Sequence, residues 1–378
     1  MSLPLDGLTV LAVEQYGAGP FATQHLADLG ANVIKVENAA VGGDVGRLVG
    51  PHFTKDGESL FHEAFNRNKK SITLDLKSDE GMAQLRKLVK TADVLFNNLR
   101  GDIPARLGLT YDAMKELNPA IVCAHLSAYG REGSRASWPG YDYLMQAEAG
   151  YLSVTGEPDG PPARFGLSIV DLMTGTTAAL AMVSAVLGAR TTGKGRDIDV
   201  SLFDVALHNL AYVGAWYLNE GDVVGRAPRS AHPSLTPSQL YRTADGWVFI
   251  MCNKEKFWGV LAARIGKPEW KTDPRYCDYG ARLKNRDTLT QELDAVLSTA
   301  TTTEWLKRLN GHVPIAPVND VAQALENPFV AEQGLIVETD QNDGESTRLL
   351  VSPIRCPRED MPQKRAPKIG ADNARLLS

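Results

Sequence analysis

The sequence is short of cysteine, of net positive charge and of long apolar runs. Its four cysteines, Cys123, Cys252, Cys277 and Cys356, are far apart, form no Cys-x-x-Cys pair and lie outside any histidine-rich cluster. Neither a zinc site nor a redox motif is indicated, so reduced thiols and no metal are expected. Lysine and arginine number 40 against 45 aspartates and glutamates, a formal charge of −5 with a pI near 5.9. That balance argues against a nucleic-acid partner, whose footprint is a basic face. The longest apolar stretch, Ala178–Ala189, is broken by Ser184 and Gly188 and falls short of the roughly 20 residues that span a bilayer. The first six residues, Met1 to Asp6, lack a basic region followed by an apolar core, so no signal peptide is visible. These absences point to the cytoplasm, or an equivalent reducing compartment, and to no membrane partner. An anionic small ligand would need a local basic cluster.

What is present is an ordinary globular composition, 43% hydrophobic and 22% charged, in a chain long enough for about two domains of typical size. Over the first 130 residues, apolar runs of strand length (Thr9–Val13, Val33–Val36, Ser71–Leu76, Val94–Phe96, Ile121–His125) alternate with helix-like segments. That alternation predicts an α/β, Rossmann-like domain with a mostly parallel sheet. Residues 131–170 break the rhythm with Gly, Pro, Ser and aromatics, and loops of that length inside a compact domain are usually functional. A small-residue helix is expected from Asp171, then a strand at Ile198–Ser201 and a helix from Leu202. The boundaries expected are a large domain over 1–220, a Pro/Gly/Ser-rich linker over 221–238, a small α+β domain over 239–325, and a C-terminal segment, 326–378, returning to the large domain.

Gly17-Ala18-Gly19-Pro20-Phe21-Ala22 reads as a GxGxxA string, with Glu37 closing the next apolar run where a dinucleotide ribose would want an acid. A dinucleotide fingerprint needs its strand to feed straight into the first glycine, so that the helix N-terminus meets the pyrophosphate. Here Glu14-Gln15-Tyr16 intervenes, which suits a ligand pocket better than a phosphate turn.

Taken together, PLDGLTVLAVEQYGAGPFATQHLADLGANVIKVE (4–37), GGDVGR (42–47), FNRNKKSITLDLKSDEG (65–81), Arg106-Leu107-Gly108, NPAIV (118–122), GYDY (140–143), SIVDLMTG (168–175), TGKGRDIDVSLFDVAL (192–207) and DGWVFI (245–250) resemble family III acyl-coenzyme A transferases along nearly the whole chain. The resemblance implies a homodimer of interlocked rings and a reaction in which coenzyme A passes between two carboxylic acids. Coenzyme A is then a substrate, with no permanently bound cofactor. Asp171 matches the family's catalytic aspartate, and an enzyme carboxylate can both form a mixed anhydride and be released from it. Gln15 and the amides around Gly17 are candidate donors to the oxyanion of each tetrahedral intermediate. By the same resemblance Gly17, Ala18, Leu74, Asp75, Lys77, Asn98, Leu99, Arg100, Arg106, Tyr141 and Asp142 fall at coenzyme-contacting positions. Asn38 and Pro139 depart from basic residues found in relatives.

Basic groups must also gather for the coenzyme phosphates; Arg67, Lys69, Lys70 and Lys77 flank one strand, and Arg100 and Arg106 a second loop. Two other readings compete. A 2-methylacyl-CoA racemase shares the fold but needs two acid/base groups, and Tyr141 stands where that family has histidine. A non-catalytic CoA-binding protein would be suggested by loss of the aspartate, which is present. For substrate, the region 233–258 contains a single glycine, Gly246, which disfavours a formyl- or oxalyl-specific site. Arg47, His52, Arg226, Arg229 and His232 could border the opening and pair with a second carboxylate, so a short dicarboxylate such as a succinyl donor is expected.

Overall fold

The computed structural model describes residues 2–339, 346–354, 356 and 361–378. It falls into two compact units that are interleaved along the chain: residues 1–149, 166–212 and 330–378 form one, residues 150–165 and 213–329 the other. The sequence reading drew its first boundary near residue 220; the second unit begins at Val213 and also takes in 150–165.

The first unit is built on strands β1 (Thr9–Val13), β2 (Asn32–Glu37), β3 (Lys70–Thr73), β4 (Val94–Asn97), β5 (Val122–Ser127) and β6 (Arg196–Ser201), with helices α1 (Ala18–Asp28), α2 (Leu60–Asn66), α3 (Asp79–Val89), α4 (Asp142–Glu148), α5 (Ile169–Thr192) and α6 (Leu202–His208) among them. All five strand pairings are parallel, in the order β3-β2-β1-β4-β5-β6. Val10, Leu11 and Ala12 are fully buried, as a parallel strand covered on both faces requires. Leu85 and Val89 of α3 pack with Leu11, Ile34, Ile72 and Leu95 in one apolar cluster. Local signals agree with the path: the Ser78 hydroxyl accepts the Gly81 N–H at the start of α3, and Gly30, with φ +100°, ends α1 in a conformation that disfavours a side chain.

The helix α5 runs 24 residues with a mean hydropathy of 1.6 over its most apolar stretch. By length and composition it could cross a membrane, which the broken apolar run did not foresee. In the fold it packs along α1, α6, β5 and β6. Its close seam with α1 is set by Gly175, where an added Cβ would stand 2.8 Å from the Ala18 carbonyl oxygen.

The unit is completed by an antiparallel hairpin, β10 (Ile336–Thr339) with β11 (Thr347–Leu350), numbered after the three strands of the other unit. The last residues then lie along the outer edge of β3. There the Ser71 N–H donates to the Asp372 carboxylate (3.0 Å), the Thr73 N–H to Asn373 Oδ1 (2.9 Å), and the Asp372 N–H to the Ser71 carbonyl (2.9 Å). The second unit holds a three-stranded antiparallel sheet of β7 (Ser238–Arg242), β8 (Trp247–Met251) and β9 (Ile315–Pro317). Its core is aromatic: Trp258 stacks on Trp270, with Tyr276, Trp305, Leu261 and Leu293 in the same cluster.

Candidate active site

The chain leaves β1 toward β2 on one side and β4 toward β5 on the other, so the carboxyl ends of β1 and β4 diverge and open a crevice. In open parallel sheets that reversal point is where ligands bind. A cavity of about 190 Å³ lies there, lined by Gln15, Tyr16, Gly17 and Ala18 after β1, Asn98, Leu99 and Arg100 after β4, Ser127 and Ala128 at the end of β5, the 138–141 loop, and Asp171 near the start of α5.

The turn after β1 is pinned from below. Asn98 accepts the Gln15 N–H (3.0 Å) and returns a hydrogen bond to the Gln15 carbonyl (2.7 Å), while Asp44 accepts the Tyr16 N–H (2.8 Å). Tyr16 sits at φ +69°, a strained conformation for a residue with a side chain that surrounding contacts must hold. Behind Asp44 is a buried ionic network. Lys35 Nζ lies 2.7 Å from Asp44 and 3.7 Å from Glu14, Lys69 Nζ lies 2.8 Å from Glu14, and Arg47 grips Glu37 through two hydrogen bonds. Three carboxylates thus face three cations, as buried charge demands.

Asp171 is the third residue of α5, which begins at Ile169 and not at the aspartate. Its backbone N–H donates to Asp142 Oδ2 (2.9 Å), and Asp142 also accepts from Gln146 Nε2 (2.5 Å). Asp142 therefore caps α5 from α4. It is buried and is not among the residues lining the cavity. No hydrogen bond reaches the Asp171 carboxylate from the described residues. Burial, with the Asp142 charge beside it, pushes that carboxyl up to about 7. A helix N-terminus favours the anion by about 0.3–1 kcal/mol, at most ~2; the rise from 3.8 to about 7 shows desolvation outweighing it. Gly17 leaves room for the carboxylate here: an added Cβ would stand 2.7 Å from Asp171 Oδ2 and push it aside.

Of the residues singled out in the sequence, Gln15, Gly17, Ala18, Asn98, Leu99, Arg100, Tyr141 and Asp171 meet around the cavity. Leu74, Asp75, Lys77 and Arg106 do not line it. Leu74 is in the core cluster, Asp75 accepts the Lys77 N–H at the turn into α3, and Lys77 is exposed. Arg106 shares Asp102 with Arg100; two guanidiniums on one carboxylate leave net positive charge beside the cavity.

The basic groups of Arg67–Lys70 have partners within the protein. Arg67 is held by both oxygens of Asp28, Lys69 spends its three donors on Glu14, the Pro20 carbonyl and Asn66, and Lys70 bonds Asn32. Arg47 is likewise consumed by Glu37 and Glu58. In the second unit Arg226 donates to the carbonyls of Glu157, Gly160 and Pro161, and Arg229 pairs with Asp294. Glu37, pulled down to about 2 by Arg47 and other partners against the cost of its burial, is bonded also by Ser71 and is not free for a ribose. Tyr16 lies in the Glu14-Gln15-Tyr16 stretch read as a pocket in the sequence, whereas Trp138 and the anchoring role of Asp44 had no such reading. The aromatic-rich loop and the GGDVGR stretch were the available signals.

Among the described residues no group of three or more His, Cys, Asp or Glu side chains could hold a metal. The family described as CoA-transferase family III matches residues 5–373. Among curated relatives, the succinate–glutarate CoA-transferase of Agrobacterium fabrum is 35% identical over 99% of this chain and 95% of its own length. The acetyl-CoA:oxalate CoA-transferase of Acetobacter aceti is 34% identical with the same coverage, and the succinyl-CoA:mesaconate CoA-transferase of Haloarcula hispanica 32%. A solved CAIB/BAIF family protein from Brucella suis superposes with a TM-score of 0.86 at 33% identity, covering both chains completely.

Proposed function

The chain belongs to CoA-transferase family III and transfers coenzyme A between carboxylic acids; from that premise we propose that Asp171 is the nucleophile and that the acids are short dicarboxylates. The observation carrying the first part is an Asp171 carboxylate without hydrogen-bond donors, raised to about 7, against the side-chain-free Gly17 in the crevice. A partly desolvated carboxylate near its pKa is a good nucleophile and a good leaving group. Asp171 attacks the donor's acyl carbon, the C–S bond breaks, and a mixed anhydride and coenzyme A thiolate form. The thiolate then attacks the aspartyl carbonyl and expels the donor acid, leaving an aspartyl–CoA thioester. The acceptor carboxylate attacks that thioester and expels the thiolate, forming a second mixed anhydride; the thiolate then attacks the acceptor's acyl carbon, the anhydride C–O bond breaks, and Asp171 leaves as its carboxylate. The Gln15 carboxamide and the amides at Gly17 serve the oxyanions.

The dicarboxylate part rests on the relatives, whose names give succinate, glutarate, mesaconate and oxalate, with acetyl-CoA the one monocarboxylic donor among them. The oxalate relative reopens the two-carbon acid that the single glycine argued against. Treatment with succinyl-CoA and hydroxylamine is expected to convert Asp171 to the hydroxamate, found by peptide mass spectrometry. Chromatography of the CoA products with oxalate, succinate, glutarate and monocarboxylates then ranks the acceptors. Better turnover of monocarboxylates would remove the dicarboxylate reading and leave the nucleophile standing.

Because the attacking form is the anion, kcat/KM is expected to fall about tenfold per unit below pH 7. Asp142→Asn keeps an oxygen for the Asp171 N–H and removes the repelling charge, so the acidic limb should move to lower pH. An unmoved limb would assign it to another group.

A homodimer, with interlocking of the two chains, belongs to the same proposal. Leu180 and Leu187, two turns apart on α5, are 68% and 69% exposed, an apolar face suited to a second copy. Interlocked chains should sediment as a dimer at every dilution that keeps them folded; a folded monomer would exclude the threading.

A further inference from the structure

Trp138 is an exposed indole on a rigid mount. It is 49% exposed and lines the same cavity as Asp171. The Arg135 guanidinium sits 4.9 Å from its ring centroid and is itself clamped by the Glu148 carboxylate, which also accepts the Tyr129 hydroxyl (2.7 Å). Tyr129 meets the indole edge-on at 6.0 Å and packs against Phe203. The backbone beside it is fixed as well: the Trp138 N–H donates to the Arg135 carbonyl (2.9 Å), and a Cβ on Gly140 would stand 2.6 Å from that of Ala128. An indole normally buries its apolar area. Here a cation, a carboxylate and two further aromatics hold one in the open beside the nucleophile.

We infer that Trp138 is the wall against which the pantetheine arm of an acyl-CoA lies while its thioester faces Asp171. This rests on the reading of Asp171 as nucleophile. The cavity of about 190 Å³ is smaller than the roughly 300–1,000 Å³ that encloses a drug-sized ligand. With the thioester at Asp171, the pantetheine arm is the part of the coenzyme that adjoins it, and Trp138 lines the same crevice. The arm's amides and gem-dimethyl group match an indole face, which takes both apolar and weakly polar groups. Stacking of adenine on Trp138 is the alternative outcome of the test.

Trp138→Ala is expected to raise KM for succinyl-CoA roughly tenfold, a loss of about 1.4 kcal/mol, with the effect in KM and not in kcat. The same factor is expected with succinyl-pantetheine, which has the arm and no nucleotide. Trp138→Phe should recover most of the loss. Trp138 is also the one tryptophan of its unit, the other five lying in 213–329. Coenzyme A should therefore change the intrinsic emission of the wild type, and that change should vanish in Trp138→Phe. A KM effect confined to succinyl-CoA would mean that the indole meets the nucleotide, and an emission change that survives Trp138→Phe would remove the contact; either overturns the inference. Hydroxylamine trapping run in parallel separates the two failures: labelled Asp171 without a Trp138 effect sinks only the wall, whereas unlabelled Asp171 sinks the nucleophile.

Discussion

Asp171→Asn is expected to abolish CoA transfer, by roughly 10⁴-fold or more in kcat, and to make the protein more stable at pH 8. The first effect follows from removing the carboxylate proposed to carry the acyl group. The second follows from linkage. In the unfolded chain the carboxyl ionises near its ordinary 3.8, whereas in the fold burial and Asp142 hold it at about 7. Between those values the folded state binds the extra proton, so stability is full below pH 3.8, declines as pH rises, and levels off above 7. The total is about 3 units, or about 4 kcal/mol. Asparagine carries no such cost. The variant should melt several degrees above the wild type at pH 8, with the gap closing near pH 4. Equal melting temperatures at pH 8 would show that the carboxylate is better solvated than its surroundings imply.

Lys35→Met is expected to cost about 3–5 kcal/mol. Lys35 is fully buried and faces Asp44 and Glu14, so its loss leaves three carboxylates against two cations. Lys35→Met with Asp44→Asn restores the balance, and the carboxamide oxygen introduced by the second substitution can still accept the Tyr16 and Gly46 N–H groups that Asp44 holds now. The double variant should regain at least half of the lost stability in urea melts, together with most of the transfer rate. Loss of rate in the single variant beyond its loss of folded protein would tie the network to the shape of the Tyr16–Gly17 turn. Additive losses in the double variant would refute the charge-balance account.

The contrast between residues that were legible in the sequence and those that were not has a physical origin. Alternating periods located β1 to β5, and parallel strands between helices then leave little freedom in where their carboxyl ends collect. Gln15, Gly17 and Asp171 came from the resemblance together with the chemistry an acyl carrier needs, and the fold brings them to one cavity. The basic run Arg67–Lys70 misled because a charge's partner is a tertiary fact: Asp28 and Glu14 lie 39 and 55 residues away in the chain. The role of Asp142 as the cap of α5 was hidden for the same reason, since it is visible only once α4 is placed beside it. Trp138 was hidden by composition, because an aromatic in a loop is as often packed as presented.

The outer edge of β3 has a consequence for how the protein is made. The Thr73 N–H finds its acceptor on Asn373, 300 residues later. At about 5–20 residues per second of synthesis, the edge stays open on the ribosome for roughly 15–60 s after β3 itself has emerged. An unpaired strand edge is a template for pairing with another chain. The nascent first unit thus carries an open strand edge until residues 372 and 373 have been made.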